Sequence, residues 1–285
     1  MSSWRILKDR TAGGVMFLLT IASILVVVAM AVGLIIKSMP LLESRPLGEL
    51  LFSSEWKPLR GEFGFLPFLA GTLWVTGIAI VLALPVSLLT AIYLVEYAQR
   101  RVKRYVFPML DILAGLPSVI YGVWGVLLIV PVTGYTLLTG GIVLGVMILP
   151  LLVSLLVEIF SAVPDSLREA SASLGATQWQ SIKRVVLRKT SPGILAAVVL
   201  AISRALGETI AVLMVCGNLP EVPHSMMEAG YPLPALIANN YGEMLSLPLY
   251  EAALMFAALV LFVVILLFNV TSRVILYRVE KKFAL

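Results

Sequence analysis

Six long apolar runs constrain the fold of this chain more than any other feature. A helix that crosses a bilayer needs roughly 20 apolar residues, because each residue rises about 1.5 Å and the hydrocarbon core is about 30 Å thick. The runs occupy residues 13–36, 67–95, 105–131, 140–162, 191–216 and 251–277. They predict an all-α integral membrane protein with about six transmembrane helices. The first run is longer than the apolar part of a cleaved signal peptide, so we expect it to remain as a span.

Composition agrees with lipid as the main solvent. Hydrophobic residues make up 60% of the 285 residues and charged residues 13%, whereas soluble domains carry about a quarter charged residues. The net charge of +5 comes from short basic clusters between apolar runs, which argues against nucleic acid as a partner. One cysteine, Cys216, and one histidine, His224, offer neither an internal disulfide nor zinc-ligand spacing. We expect no cofactor and no metal.

The positions of the 21 Lys and Arg residues predict the orientation in the membrane. Cytoplasmic segments carry an excess of basic residues. If both termini are cytoplasmic, sixteen basic residues fall in cytoplasmic segments, Arg204 lies within a span, and four lie outside, namely Lys37, Arg45, Lys57 and Arg60. We therefore expect a multi-pass protein of the cytoplasmic membrane, in contact with membrane lipid. The two long outer segments, 37–66 and 218–250, are long enough to meet an external partner.

Two charged residues, Arg204 and Glu208, lie inside the fifth predicted span. A charge at bilayer depth costs several kcal/mol, so such residues are candidates for function. On a continuous helix the i, i+4 spacing lets them form a mutually neutralised structural pair. The alternative is that both line a substrate path, with Gly207 between them opening access to the backbone. A guanidinium suits a tetrahedral oxyanion, and a neighbouring carboxylate can accept the proton that phosphate, unlike sulfate, still carries near neutral pH.

Prolines, glycines and three further acidic residues mark the other spans. Prolines inside the apolar runs weaken the helical hydrogen-bond ladder, and each either breaks its span or merely accompanies close helix packing; they are Pro85, Pro108, Pro117 and Pro150. The glycines Gly115, Gly122 and Gly125 either interrupt the helix or permit close helix packing. Three acidic residues near span ends are expected to be structural, within reach of the basic residues at 100–104; they are Glu96, Asp111 and Glu158.

The longest predicted cytoplasmic loop, from Pro164 to about Ser191, has the pattern of two short helices broken at Gly175. Asp165 is a candidate N-cap of the first helix. The side chains of Leu167, Ala170 and Leu174 recur at helical spacing on one face. Such a segment can lie on lipid or dock in a groove of a partner.

This loop resembles the EAA loop of ATP-binding-cassette importer permeases. The family pattern is Glu-Ala-Ala, three residues, Gly, nine residues, then Ile-x-Leu-Pro. Here Glu169-Ala170-Ser171 is followed at the same spacings by Gly175 and by 185–188, where Arg188 replaces the proline. Further segments resemble phosphate-specific importer permeases of the PstC type: Phe63–Pro67, Gly71–Leu73, Tyr93–Glu96, Leu113–Val119, Met147–Pro150 and Arg204–Thr209.

The resemblance implies a type I ABC importer permease fold with a cytoplasmic coupling helix, and three regions. They are an N-terminal transmembrane helix with an external loop (1–66), a transmembrane permease core (67–277) and a cytoplasmic tail (278–285). It implies that Glu169, Ala170, Leu174 and Gly175 act in ATPase coupling and that Arg204, Glu208 and Thr209 line the substrate pathway.

The resemblance also implies four partner proteins: a second permease subunit of the PstA type, two ATPase subunits of the PstB type and an external phosphate-binding protein of the PstS type. The chain has no Gly-x-x-x-x-Gly-Lys-Ser/Thr loop, so we expect a transport subunit rather than an enzyme. Three alternatives stay open: a permease for another oxyanion or small solute, an ion-coupled secondary transporter or channel with Arg204 and Glu208 as a relay, and a role in reporting phosphate supply. No internal repeat of the kind built into secondary transporters is visible.

Overall fold

Helices account for nearly all of the regular structure. A computed structural model describes residues 3–242 and 248–283, with side chains described over 11–242 and 248–278. The helices are α1 (Ser3–Ser44), α2 (Leu47–Phe52), α3 (Leu66–Ile92), α4 (Arg100–Gly115), α5 (Ser118–Trp124), α6 (Val130–Thr133), α7 (Leu137–Ser161), α8 (Asp165–Ser173), α9 (Gln178–Ser181), α10 (Leu187–Leu206), α11 (Ile210–Val215), α12 (Leu233–Asn240) and α13 (Pro248–Phe283). Two short strands, β1 (Trp56–Lys57) and β2 (Glu62–Phe63), pair antiparallel with Trp56 opposite Phe63. Residues 243–247 of the second predicted outer segment and 284–285 of the predicted tail lie outside the described residues.

The prediction of about six spans is confirmed. Within the described residues, five helical stretches are long and apolar enough to cross a membrane: Thr11–Ser44, Leu66–Tyr97, Leu137–Ser161, Gln178–Leu206 and Pro248–Arg278. A sixth span results if the helix pair Arg100–Gly115 and Ser118–Thr133, which meet at 96°, counts as one.

The third predicted span, 105–131, is therefore not one straight helix. The chain bends at Leu116, which has the extended conformation (φ −67°, ψ 136°) that a residue before proline prefers. Pro117 itself has no N–H for the helical ladder. The Tyr121 hydroxyl donates a hydrogen bond to the Leu113 carbonyl across the bend at 2.7 Å. The interruption considered from sequence is thus confirmed at Pro117.

The other three prolines do not break their helices. Pro85, Pro108 and Pro150 lie inside α3, α4 and α7, which continue on both sides. The interruption considered from sequence does not occur at these positions, because neighbouring helices support a proline inside a span.

Small residues allow α5 to approach the core closely. A Cβ built on Gly125 would lie 2.5 Å from Val143 Cγ2 and 3.1 Å from Val215 Cγ1, whereas one on Gly115 would meet nothing within 4 Å. A Cβ built on Gly122 would lie 3.3 Å from the Ala211 Cα. Close packing is thus the role of Gly122 and Gly125.

Two large apolar cores hold most of the described helices together, and a small third cluster of Leu94, Leu110 and Val153 attaches α4 to α7. One joins α3, α5, α7, α10 and α11 and includes Ala79, Ile148 and Ala201, all fully buried. The other joins the end of α1, the β hairpin, α12 and α13, with Trp56 edge-on to Phe63, Phe65 and Phe68.

The second predicted outer segment is only partly an open loop. Its helix α12 is buried over Leu233, Pro234, Ala235 and Leu236, and the Leu233 N–H donates to Thr72 Oγ1 on α3 at 2.8 Å. The more exposed stretch is 219–229, which includes Glu221, His224 and Glu228.

Candidate functional site

The fifth predicted span ends early, just after its arginine. Helix α10 stops at Leu206, Gly207–Thr209 are non-helical, and α11 begins at Ile210. The N–H groups of Gly207 and Glu208 donate to the carbonyls of Arg204 and Ala205, at 3.2 and 3.3 Å, so the last turn of α10 is tightened. The expectation of one continuous helix over 191–216 is wrong.

This break separates the two charged residues. Glu208 Oε1 accepts a hydrogen bond from the Ala211 N–H at 3.4 Å, at the start of α11. Arg204 is exposed, and the described residues include no ion pair between Arg204 and any acidic side chain. The neutralised i, i+4 pair considered from sequence is therefore absent, because it needs an unbroken helix.

Thr209 completes the break. Its hydroxyl donates to the Gly207 carbonyl at 3.2 Å, and its own carbonyl accepts from the Leu213 N–H at 2.9 Å. The side chains of Arg204, Glu208 and Thr209 thus belong to one short irregular segment, with the Gly207 backbone exposed beside them.

The segment between α7 and α10 has the two-helix form predicted from sequence. Helix α8 ends in a Schellman motif, in which the Ala176 N–H donates to the Ser171 carbonyl at 3.2 Å and the Gly175 N–H to the Ala172 carbonyl at 2.9 Å. Gly175 has φ +79°, which an L side chain rarely adopts. Thr177 and Gln180 then form a reciprocal capping box at the start of α9. We call residues 164–181 the EAA segment.

The apolar face of α8 points away from the rest of the chain. Leu174 is 90% exposed, and Leu167, Glu169, Ala170 and Gly175 are exposed as well. The buried side of the helix is polar and contains Ser171. Unpartnered apolar surface on a short helix is typical of a docking site.

The predicted capping role of Asp165 is wrong. The N-cap position is Pro164, which has no side-chain acceptor, and Asp165 is the first helical residue. Its carboxylate instead accepts from Arg168 Nη1 at 3.0 Å.

The expected partners of the acidic residues at the span ends are also wrong. Glu96 pairs with Arg168 of the EAA segment, at 3.0 Å between Oε1 and Nη2, rather than with the basic residues at 100–104. Asp111 and Glu158 are exposed and form no ion pair among the described side chains. No sequence pattern marks Arg168 as a functional residue, although it stands directly before Glu169.

The two groups of candidate residues lie at opposite ends of one helix. The EAA segment leads through a π turn, Ile182–Val186, into α10, and Arg204 lies in its last turn. The 20 residues of α10 span about 30 Å. The structure does not bring the two groups together, but it joins them by a single continuous element.

Comparison with known proteins places the chain in a family. The model of the family described as "Binding-protein-dependent transport system inner membrane component" matches residues 83–284. The phosphate transport system permease protein PstC of Xylella fastidiosa is 34% identical over 258 residues, covering 81% of this chain and 79% of the relative. The protein of the same name from Haemophilus influenzae is 32% identical over 261 residues, covering 82% of each.

A solved structure has the same fold. A chain from the inward-facing conformations of the MetNI methionine ABC transporter matches with a TM-score of 0.57 at 20% identity, covering 79% of this chain and 99% of that one. That identity supports the fold alone, and it confirms the expected type I importer permease architecture. With the family model matching most of its length, this chain belongs to the binding-protein-dependent transport system inner membrane component family.

Proposed function

We propose that this chain is the permease subunit of an ATP-binding-cassette importer that moves inorganic phosphate across the cytoplasmic membrane by alternating access. The observation that carries the proposal is the break at Gly207–Thr209, beside an arginine that has no ion pair among the described side chains, in a chain whose relatives are named phosphate transport permeases. ATP hydrolysis takes place on a separate subunit.

The break itself argues for a pathway. Irregular backbone at membrane depth is tolerated where it is buried in protein or lines a water-filled cavity, and not where it faces lipid. Arg204 and Gly207 are exposed on the single chain. In the assembled importer this face is therefore covered by the second permease or borders the aqueous path between the two.

The chemistry of the segment suits phosphate. The Arg204 guanidinium provides paired N–H donors for a tetrahedral oxyanion, and no carboxylate in the part of the chain that the structure describes forms an ion pair with it. Glu208, held by the Ala211 N–H, lies four residues further along the chain and can accept a hydrogen bond from the O–H group of a monohydrogen phosphate. In this proposal Arg204 contacts phosphate in transit, Glu208 senses its proton, and Thr209 keeps the break open.

The test is phosphate uptake by the reconstituted importer. Losing a charged hydrogen-bond donor lowers transport in Arg204→Gln by about tenfold or more, and Glu208→Gln lowers it as well. Arg188→Gln, an exposed arginine at the other end of α10, is the matched control and keeps parent-like uptake. Parent-like uptake in both site variants would sink the proposed pathway. Competition by sulfate, molybdate and phosphonates separates phosphate from other oxyanions.

The exposed EAA segment supports an ATPase as one partner. We propose that the apolar face around Leu174 seats in a groove of an ATPase subunit of the PstB type, with Glu169, Ala170 and Gly175 at its rim. A second permease of the PstA type and an external binding protein of the PstS type complete the importer. The excess of basic residues at 100–104 and 168–189 favours a cytoplasmic position for this segment and for both termini.

A co-purification experiment checks the ATPase contact. Leu174→Asp places a charge on a side chain that is 90% exposed, and Leu59→Asp does the same at 89% exposure in the predicted outer segment. Because a buried unpaired carboxylate disrupts an apolar interface, the ATPase is lost from complexes with the first variant and retained with the second. Equal recovery of the ATPase with both variants would refute the docking surface.

A further inference from the structure

Arg168 joins three separate parts of the chain through its guanidinium group. Its Nε and Nη2 both donate to Glu96 Oε1, at 3.2 and 3.0 Å. Nη2 also donates to the Phe160 carbonyl at 3.0 Å, and Nη1 donates to the Val163 carbonyl at 2.6 Å and to Asp165 at 3.0 Å. Since a guanidinium carries five N–H groups, each of them has an acceptor. We call this set of contacts the Arg168 junction.

The junction differs from the other long-range ion pair described in the chain. The Glu96 side chain is 8% exposed and that of Arg168 is 21% exposed, whereas Lys37 and Glu251, which link α1 to α13, are 62% and 30% exposed. Exposed pairs contribute little, but breaking a pair that is mostly out of water leaves an uncompensated charge. The Arg168 junction is thus a firm connection, and the Lys37–Glu251 pair is a suitable comparison.

Irregular helical turns lie on both sides of the junction. Glu96 belongs to a π turn, Tyr93–Tyr97, that ends the α3 span, and a second π turn, Ile182–Val186, leads from α9 into α10. Gln178 of α9 donates to the Glu96 carbonyl at 2.8 Å, which ties the second short helix to the same turn. π turns are rare and recur where helices change register at functional sites. The α3 span and α10 can therefore change conformation at these two π turns, which are the points where they contact the EAA segment.

We propose that Arg168 is a positioning residue that transmits movement of the EAA segment to α3. A displacement of α8 by a bound ATPase carries the Arg168 guanidinium with it, and the guanidinium carries Glu96 and the end of α3. Helix α10 provides the second connection, from the EAA segment to the break beside Arg204. The ATPase thus acts on two spans at once, one through covalent continuity and one through the Glu96–Arg168 pair.

This inference rests on the proposed function, and the experiment separates the two. The complete importer is reconstituted in proteoliposomes, and ATP hydrolysis is measured without and with phosphate-loaded binding protein. The variants are Glu96→Gln, Arg168→Lys and the two combined, with Glu251→Gln as the matched loss of a long-range ion pair. Arg168→Lys keeps the charge but cannot reach Glu96 and both carbonyls together. A parent importer that phosphate does not stimulate would overturn the proposed function, and the variants would then be compared with the oxyanion that does stimulate it.

The expected result is a selective loss of coupling. In both single variants the complex assembles and its basal hydrolysis is unchanged, while the ratio of stimulated to basal hydrolysis falls about fivefold or more. The ratio of stimulated to basal hydrolysis in the double variant is no lower than in the single variants, because both substitutions remove the same connection. Glu251→Gln keeps the parent ratio. A parent ratio in Glu96→Gln and Arg168→Lys would overturn the inference, and so would loss of assembly in both, since the pair would then only hold the fold together.

Discussion

The hydroxyl of Thr72 holds the start of α12 against α3, and a variant without this hydroxyl tests that contact. Its Oγ1 accepts from the Leu233 N–H at 2.8 Å and donates to the Phe68 carbonyl at 2.7 Å, in a side chain only 7% exposed. Leu233 begins α12, so its N–H has no acceptor within the helix. Thr72→Val keeps the shape of the side chain and leaves this buried donor unsatisfied.

Two energies could set the loss of stability in Thr72→Val: that of a hydrogen bond between helices and that of a buried donor without an acceptor. Hydrogen bonds between helices in membrane proteins average about 0.6 kcal/mol, whereas an orphaned buried donor costs about 1–3 kcal/mol. The second range applies to Thr72, because the Leu233 N–H is fixed in the backbone and cannot turn to another acceptor. The lost donation to Phe68 adds little, since that carbonyl also accepts a bond within α3. We expect a loss of about 2 kcal/mol in the free energy of unfolding.

The assay is thermal unfolding of the purified importer in detergent, followed by intrinsic fluorescence. By the scaling for domains of 150–250 residues, 2 kcal/mol lowers the Tm by about 4–8 °C. The control is Thr76→Val, one turn further along α3, also 7% exposed and without a side-chain hydrogen bond among the described residues. Equal Tm values for the two variants would refute the assigned role of Thr72.

Three further predictions concern backbone conformation, packing and charge. Gly175→Ala forces a side chain to φ +79°, which costs about 1–2 kcal/mol, so hydrogen exchange over 165–181 should rise; unchanged protection would contradict this. Gly125→Ala, whose Cβ would lie 2.5 Å from a valine methyl, should lower the Tm relative to Gly115→Ala, whose Cβ meets nothing within 4 Å; the reverse order would count against the close-packing role. The Lys57 ammonium, which donates to Glu55, lowers the pKa of that carboxyl, so the pair stabilises the hairpin above the ordinary glutamate pKa and is lost as the pH falls through the lowered value. Amide exchange of the hairpin between pH 6 and pH 3 measures this, and exchange protection independent of pH would oppose it.

Span number could be predicted because it depends on the length of apolar runs, but the positions of the breaks could not. The run containing Pro117 and the run containing Pro150 look alike in sequence, yet only the first is bent. At the bend the Tyr121 hydroxyl satisfies the Leu113 carbonyl, a contact that no residue pattern around Pro117 indicates. The break after Leu206 had a local signal, because Gly207 is a poor helix former and Thr209 precedes the apolar start of α11. The apolar residues on both sides of Gly207–Thr209 nevertheless favour a single continuous span.

Among the candidate site residues, too, those whose role depends on chain neighbours could be predicted from sequence, and those whose role depends on packing could not. Gly175 was predictable because its role, a left-handed turn between two short helices, depends only on the residues beside it in the chain. The pairing of Glu208 with Arg204 could not be decided from sequence, because it depends on whether the helix continues past Leu206. Arg168 was missed because its acceptor, Glu96, lies 72 residues away. A motif identifies residues that act through their chain neighbours, whereas a connection between spans is visible only after the spans have been placed side by side. Under the proposed function the ATPase contact and the substrate path lie at opposite ends of α10, about 30 Å apart, so the residues that join them belong to the second kind.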